Sequence, residues 1–548
     1  MSKSVPQNLE ETEIFQNNSN LADFFDNACQ CHKDRIAFEN FDVGMSYAQT
    51  SDHVNALASW FSKNANVGAK VAIMMPNMMA YPVVVYGALK AGMTVVNINP
   101  LYTKRELEHV LKDSEAKILF CWEGAGAVVG GANLASVDKV VLTTVGDLLG
   151  FKGKIINLVV RKIKKLVPKF SIQSALSFSK IMRANAKESF TSIEISYDQA
   201  AFLQYTGGTT GVSKGAILTH RNIMANSVQA YYATNPKLHG GADNEQTIAI
   251  CPLPLSHIFA LLVHNFFLFY SGGKSILITN PRDLPKFISI LKKNKFHMIS
   301  AVNTLFDALL NNEDFKKLDF SNLIVPVAGG MASLPSTAEK WHKVTNSVMM
   351  QAYGLTETSP LVSAMDYDAP AFTGSIGRPA LFTEVQLRND DNQVISGVDE
   401  VGELCVRGPQ VMQGYWKVED SGVDENGWFK TGDIATIDES GYIFLVDRKK
   451  DMIIVSGFNV YPNEVEAVVA EHPAVMECGC IGVANEKSQE AVKVYAVLHE
   501  GQSLTAEELI EYCREKLTAY KVPKHVEFIA ELPKTNVGKV LRRELKSL

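Results

Sequence analysis

KVAIMMPNMMAYPVVVYGALKAGMTVVNINP, residues 70–100, reads as strand, helix, strand. KVAIMMP (70–76) and TVVNINP (94–100) are apolar on consecutive positions, the texture of strands buried on both faces. Between them AYPVVVYGALKAG (80–92) has the length of a helix and is stopped by Gly92. Working outward, HVNALASWFSKN (53–64) predicts a helix, KRELEHVLKDSEA (104–116) another, and KILFCW (117–122) a strand. Helices alternating with apolar strands in this way predict a parallel sheet covered on both faces.

A second alternating stretch runs from about 285 to 355, with LPKFISILKKNKF as helix, HMISAV as strand and VPVAGG as a strand ending in a glycine turn. After 375 the texture changes. TEVQLRNDDNQVI and GELCVRGPQVMQGYW are short alternating strands broken by turns, which predicts an antiparallel β subdomain. The charged run VDRKKD (446–451) precedes a self-contained pattern. NEVEAVVAEH is helix, VMECGCIGV and AVKVYAVLH strands, TAEELIEYCREKL helix and HVEFIAEL strand. A boundary near 448 therefore divides residues 1–447 from a smaller domain, 448–548.

The chain has 548 residues, too many for one ordinary core. Its net charge of −6 argues against nucleic acid as an obligatory partner. The eight cysteines include C-x-C pairs at 29/31 and 478/480, a spacing that fits neither zinc nor redox sites. Reduced thiols in a cytoplasmic protein are expected. No signal peptide and no membrane-spanning run is read. FALLVHNFFLFY (259–270), the nearest, reads as a buried helix or pocket wall. FKGKIINLVVRKIKKLVPKF (151–170) stands apart, with Lys or Arg at 152, 154, 161, 162, 164, 165 and 169 and no acid. It reads either as a basic amphipathic helix for an anionic membrane surface or as an ordinary surface helix.

The chemistry is carried first by LQYTGGTTGVSKGAILTH (203–220). Hydroxyls at Thr206, Thr209, Thr210 and Ser213, glycines at 207, 208, 211 and 215, and Lys214 suit a triphosphate. The loop is not of the G-x-x-x-x-G-K-[ST] type, and a plain glycine-rich turn between strands is the alternative. QAYGLTETSP (351–360), placed after a strand SVMM, offers Tyr353 for a purine face, Thr356 for a phosphate and Glu357 for Mg²⁺, or else a capped helix start. In WFKTGDIA (428–435), Asp433 follows Gly432 in a turn and could accept from ribose hydroxyls. Lys539 in PKTNVGKVLRREL (533–545), taken alone, reads as solvated surface before it reads as catalytic. His257, beside an apolar run in PLPLSHIFALLVH (252–264), reads by default as a satisfied core histidine.

TGGTTGVSKG, YGLTET, TGD, DRKKDMIIVSGFNVYPNEVE and NVGKVLRREL occur together in the order and spacing of the adenylate-forming superfamily. That superfamily comprises acyl-CoA synthetases, luciferases and adenylation domains. HIFAL, ITNPRDLPKFI, VNTLFDALLNN, LDFSNL, GPQVMQGYW and VSGFNVYPNEVE resemble bacterial long-chain fatty acid–CoA ligases, and the likeness spans about 20 to 545. The resemblance implies an α/β fold with a large N-terminal domain of two helix-flanked sheets plus a distorted β-barrel subdomain, and a small mobile α+β C-terminal domain. It implies ATP, Mg²⁺ and coenzyme A as cofactor and co-substrates, with a fatty acid made first into an acyl-adenylate and then a thioester.

By the same resemblance Thr206, Gly207, Gly208, Thr209, Thr210, Gly211 and Lys214 hold phosphates. Gly330, with Gly329 and Met331, borders adenine, on which Tyr353 packs beside Gly354. Asp433 and Arg448 bind ribose. Lys539, Thr356, Glu357 and His257 are catalytic, and Glu357 also meets the metal. Lys450 is the hinge, and Gly457 in Ser456-Gly457-Phe458 lines the pantetheine tunnel after the small domain rotates. Ser256 stands where the family pattern leads to an aromatic before His257. Residues 258–270 and VNTLFDALL (302–310) are expected to wall the acyl tunnel. Medium-chain or aryl-CoA ligases, acyl-AMP ligases and a non-enzymatic fatty-acid capture protein on a membrane are the alternative readings. Contact with the inner face of a membrane and a homodimer are compatible with all of them.

Overall fold

The computed structural model describes residues 6–191, 193–206, 213–234, 236–238, 245–485, 488–535 and 538–548. The opening stretch forms strand Lys70–Met74, helix Ala80–Lys90 and strand Thr94–Asn97. Gly92 ends the helix with φ +69°, a left-handed conformation that favours glycine. The two strands pair in parallel. Ile118–Trp122 joins Lys70–Met74 on its other edge, so strand order reverses there.

The first sheet has seven strands, in the order Leu176–Ser177, Lys139–Thr143, Ile118–Trp122, Lys70–Met74, Thr94–Asn97, Ala200–Thr206, Lys214–Thr219. All its pairs are parallel except the last, an antiparallel hairpin. Helix Tyr47–Ser62 begins earlier than its apolar pattern, because Ser46 and Gln49 close a capping box. Thr103 and Glu106 do the same for Lys104–Ser114.

The second sheet has nine strands. Its centre is parallel, from Lys274–Leu277 through Ile248–Cys251, Met298–Ala301 and Val325–Ala328 to Met350–Gly354. One core holds Leu57, Val84, Ile223 and Phe266, from helices Tyr47–Ser62, Ala80–Lys90, His220–Ala233 and segment 258–270. The β subdomain is a five-stranded antiparallel sheet running from Val394–Ile395 to Ile443–Arg448. The last sheet starts at Ile453–Val455 and carries helices Pro462–Ala470 and Ala506–Arg514 around its own core.

Segment 151–170 is helical for only part of its length. Helix Gly150–Leu158 passes into a π-helical turn, Val159–Ile163, and the chain then leaves the helix with Lys165 at φ +51°. Tyr353 and Gly354 sit within strand Met350–Gly354 rather than after it, and Thr356–Thr358 is a single 3₁₀ turn, not the start of a helix. All eight cysteines are unpaired. Among the described residues no helix is long and apolar enough to cross a membrane.

Candidate active site

A cleft of about 2290 Å³ opens along the carboxyl ends of the sheets, against the β subdomain and the C-terminal unit. Ligands of open α/β sheets bind at such strand ends. Thr206, Lys214, His257, Gly330, Tyr353, Gly354, Thr356, Glu357, Asp433, Arg448, Lys450 and Lys539 all line it. Residues separated by more than three hundred positions are thus brought to one space.

Thr206 and Lys214 are register partners at the open end of the antiparallel hairpin. The chain between them, 207–212, therefore links the two strands of this hairpin. Gly207, Gly208, Thr209, Thr210 and Gly211 lie outside the described residues. The ends of the turn are held by Ser213 Oγ, which donates to the Thr206 carbonyl at 2.6 Å, and by His109 Nε2, which donates to the Ser213 carbonyl at 2.8 Å.

Asp433 lies inside strand Phe429–Ile437, not in a turn before one. The ladder to Gly402–Arg407 skips register there, and Gly432 takes φ +71°. Such a bulge bends a strand and re-aims its side chain. The buried Asp433 carboxylate meets Arg448 Nε at 3.0 Å, its ladder partner on Ile443–Arg448, and accepts from the Tyr353 hydroxyl at 2.5 Å. Burial and the Asp433 charge raise the Tyr353 phenol well above its usual range, so it stays a donor. The Gly329–Gly330 turn passes closely here. A Cβ on Gly329 would stand 3.1 Å from the Ala352 carbonyl oxygen, and Gly330 has φ +79°.

Lys539 reaches the cleft from the C-terminal unit. Thr535 N donates to the Lys539 carbonyl at 2.7 Å, and Lys539 N donates to Thr535 Oγ1 at 3.1 Å. Gly538 has φ +86°, and a Cβ there would stand 2.6 Å from Thr304 Oγ1. The loop thus rests on helix Asn303–Leu310. Burial, then the Arg448 guanidinium, lowers the Lys539 ammonium to about 8.

His257 is half-buried on the cleft wall, and burial followed by Lys539 pushes it down to about 4, so it is neutral near pH 7. Its strand-end neighbours are fixed by a buried chain. Tyr81 donates to Asn97 Oδ1 at 2.6 Å and Asn97 donates to Gln204 Oε1 at 2.9 Å, while Gln204 donates to the Ser256 carbonyl at 2.6 Å. The satisfied core histidine of this stretch is His264, fully buried between Ser275 Oγ at 3.1 Å and Ser300 Oγ at 2.8 Å.

Glu357 lines the cleft and accepts from the Tyr415 hydroxyl at 2.7 Å. Lys214 Nζ lies 5.2 Å from the same ring. Tyr415 escaped the sequence reading, although it lies in the quoted GPQVMQGYW. Among the described residues no cluster of three or more His, Cys, Asp or Glu could hold a metal by itself. A single carboxylate at this wall fits Mg²⁺ carried on a nucleotide, whose other ligands would be waters and phosphate oxygens.

The deep end is apolar, lined by Phe259, Leu262, Val263 and Phe267 from segment 258–270 with Met298. That segment is both a buried helix, with a π-helical stretch Leu261–Phe267, and a cleft wall. Helix Asn303–Leu310 also borders the cleft, Ala308 included, but with only part of its surface. It shows Asn303, Thr304 and Asp307 to the cleft, while Phe306, Leu309 and Leu310 pack in a separate core.

Gly457 is not brought to the site. Ser456 and Gly457, both at positive φ, turn an exposed hairpin, and Phe458 stacks on Tyr520 at 4.9 Å away from the cleft. With Thr535 and Lys539 in the cleft, the 456–458 edge of the C-terminal unit is exposed. Arg542 is a second residue the sequence reading passed over. Its guanidinium meets Asp447 at 3.2 Å, Asp451 at 3.3 Å, Asn463 Oδ1 at 2.5 Å and Glu466 at 2.8 Å.

This cleft joins hydroxyl, cationic and carboxylate side chains to an apolar end, and comparison with known proteins shows the family in which it occurs. Residues 25–416 match the AMP-binding enzyme family and 464–539 its C-terminal domain, and the chain belongs to this family. The long-chain-fatty-acid–CoA ligase of Yersinia pestis is 48% identical over 543 residues, covering 96% of this chain and 94% of that one. The enzyme of the same name from Bacillus subtilis is 34% identical, covering 93% and 91%. Among solved structures, o-succinylbenzoate CoA synthetase from Bacillus subtilis with its acyl-adenylate intermediate superimposes with a TM-score of 0.74 at 26% identity, covering 95% of this chain and 97% of that one.

Proposed function

We propose that the protein is an ATP-dependent long-chain fatty acid–CoA ligase. The observation that carries this reading is the single cleft with Lys539 between a nucleotide-suited half and an apolar end. In the first step a fatty carboxylate oxygen attacks the α-phosphorus of ATP, the bond to the β-phosphate oxygen breaks, and pyrophosphate leaves. In the second the thiolate of coenzyme A attacks the acyl carbonyl, and the carbonyl–oxygen bond breaks to release AMP. Charge builds on the α-phosphate in line, where the Lys539 ammonium stabilises it without reorganisation. Asp433 and Arg448 orient the ribose, Tyr353, Gly330 and Gly354 border adenine, and Thr206 to Gly211, Lys214 and Thr356 hold phosphates. Mg²⁺ bound at Glu357 would neutralise phosphate charge. His257, neutral, shapes the wall at the carboxylate.

The reading divides the chain at 447/448, with Lys450 as hinge. Rotation there withdraws Lys539 and brings Gly457 to the pantetheine path. A domain closure of this kind keeps water from the acyl-adenylate. Dependence on ATP and coenzyme A puts the reaction in the cytoplasm, and its substrate is soluble in the inner leaflet of a membrane. Each methylene buried in the apolar end contributes about 0.8 kcal/mol, which favours long chains. The test is pyrophosphate release over a ladder of fatty and aromatic acids, with and without coenzyme A. Long-chain acids are expected to give acyl-CoA and AMP. Turnover without coenzyme A and without acyl-CoA would defeat the reading.

A further inference from the structure

Segment 151–166 turns its apolar side outward. Phe151, Ile155, Leu158, Ile163 and Leu166 are 75%, 50%, 58%, 71% and 52% exposed. No other stretch of this length among the described residues gathers five exposed large apolar side chains. They form one row. Steps of four and three residues carry it along helix Gly150–Leu158, and the π-helical turn Val159–Ile163 absorbs the five-residue step from Leu158 to Ile163. The opposite side is fastened to the body. Gly153 and Gly146 approach so closely that a Cβ on either would overlap the other's carbonyl, and Val160 is buried. Lys152 pairs with Asp42 at 3.4 Å, Arg161 with Glu123 at 2.8 Å and Lys164 with Asp283 at 3.4 Å.

An ordinary surface helix turns its polar face to water and its apolar stripe to the core. This segment leaves apolar and basic side chains exposed together, and its charge explains what the row faces. Lys154, Lys162, Lys165 and Lys169 are exposed and form no ion pair with a described residue. No Asp or Glu occurs between Asp147 and Glu188, in a chain whose net charge is −6. A second copy seated symmetrically on the row would set these lysines against their equals, which is repulsive. A bilayer with anionic headgroups offers apolar depth for the row and negative charge for its rim.

We propose that residues 151–169 form a docking surface for an anionic lipid bilayer, with Phe151, Ile155, Leu158, Ile163 and Leu166 entering the interface and Lys154, Lys162, Lys165 and Lys169 contacting headgroups. The surface is separate from the cleft, so its function does not rest on the ligase reading.

The test is flotation of the full chain with phosphatidylglycerol/phosphatidylcholine vesicles and with phosphatidylcholine vesicles alone. Two variants are compared: Ile155→Ser with Leu158→Ser and Ile163→Ser, and Lys154, Lys162, Lys165 and Lys169→Gln together. Wild type should float with the anionic vesicles only and be released by salt. Each variant should keep its melting temperature and lose roughly tenfold or more in apparent affinity. Failure of wild type to float, equal flotation with both lipids, or full binding by either variant would overturn the proposal. So would a concentration-dependent dimer dispersed by the serine substitutions, which would assign the row to a second copy.

Discussion

Lys539 and His257 show how one space gives two bases different protonation at the same pH. Burial and Arg448 bring the lysine to about 8, and burial with Lys539 itself brings the histidine to about 4. A lysine lowered in this way is charged below its pKa, so the cation is present near pH 7 and is lost as pH rises through about 8. The rate of adenylation, read as kcat/KM from pyrophosphate release between about pH 6 and 10, is expected to fall across that value, with no limb from His257 in the range. Lys539→Arg should remove the alkaline fall. Lys539→Ala should cut acyl-AMP formation by about a hundredfold or more while sparing thiolation of supplied acyl-AMP. Equal loss of both half-reactions would place the lysine's role elsewhere. Tyr415→Phe tests the partner of Glu357. It keeps the ring beside Lys214 and removes one hydrogen bond to a carboxylate, worth about 1.5–3 kcal/mol, so the KM for MgATP should rise roughly tenfold with kcat little changed.

At the scale of elements, the Arg542 cluster joins the end of strand Ile443–Arg448 to the C-terminal unit. Asp447 is 2% exposed, and its other partners are the backbone N–H groups of Asn463 at 2.6 Å and Arg448 at 2.7 Å. Arg542→Ala would leave a buried carboxylate without its cation, a loss of about 3–5 kcal/mol. It should appear as reduced hydrogen-exchange protection over 453–500. Arg542→Lys keeps charge but not the fork, and should fall between. None of this was legible in RREL, because ion-pair partners ninety residues apart carry no local signal. What was legible followed local rules. Strands 70–76 and 94–100 stood out because both their faces are buried, and helix 80–92 because Gly92 stops it. Helix 303–310 was legible only in part, because apolar spacing identifies a buried face without telling which core receives it. Asp433 read as a turn residue because Gly432 marks a bulge and a turn alike.

At the scale of the molecule, the motifs disclosed the chemistry more fully than the geometry that unites it. Their order along the chain could not say which edge of the C-terminal unit faces the cleft. In this structure the Lys539 loop faces it and Gly457 is exposed, so one orientation serves one half-reaction of the proposed pair. That makes the orientation testable by locking it. A Cβ on Gly538 would lie 3.7 Å from Thr304 Cβ, within the usual span across a disulfide. Thr304→Cys with Gly538→Cys should therefore crosslink on oxidation, at the cost of about 1 kcal/mol for a side chain at φ +86°. Cys31 is the one exposed native thiol and would be replaced beforehand by Ser. The oxidised protein should release about one equivalent of pyrophosphate and hold acyl-AMP, then stall without forming acyl-CoA. Reduction should restore turnover. Thioester formation by the locked protein at the unlocked rate would show that Lys539 and the thiol path are served by one orientation, and rotation about Lys450 would then have no part in the reaction.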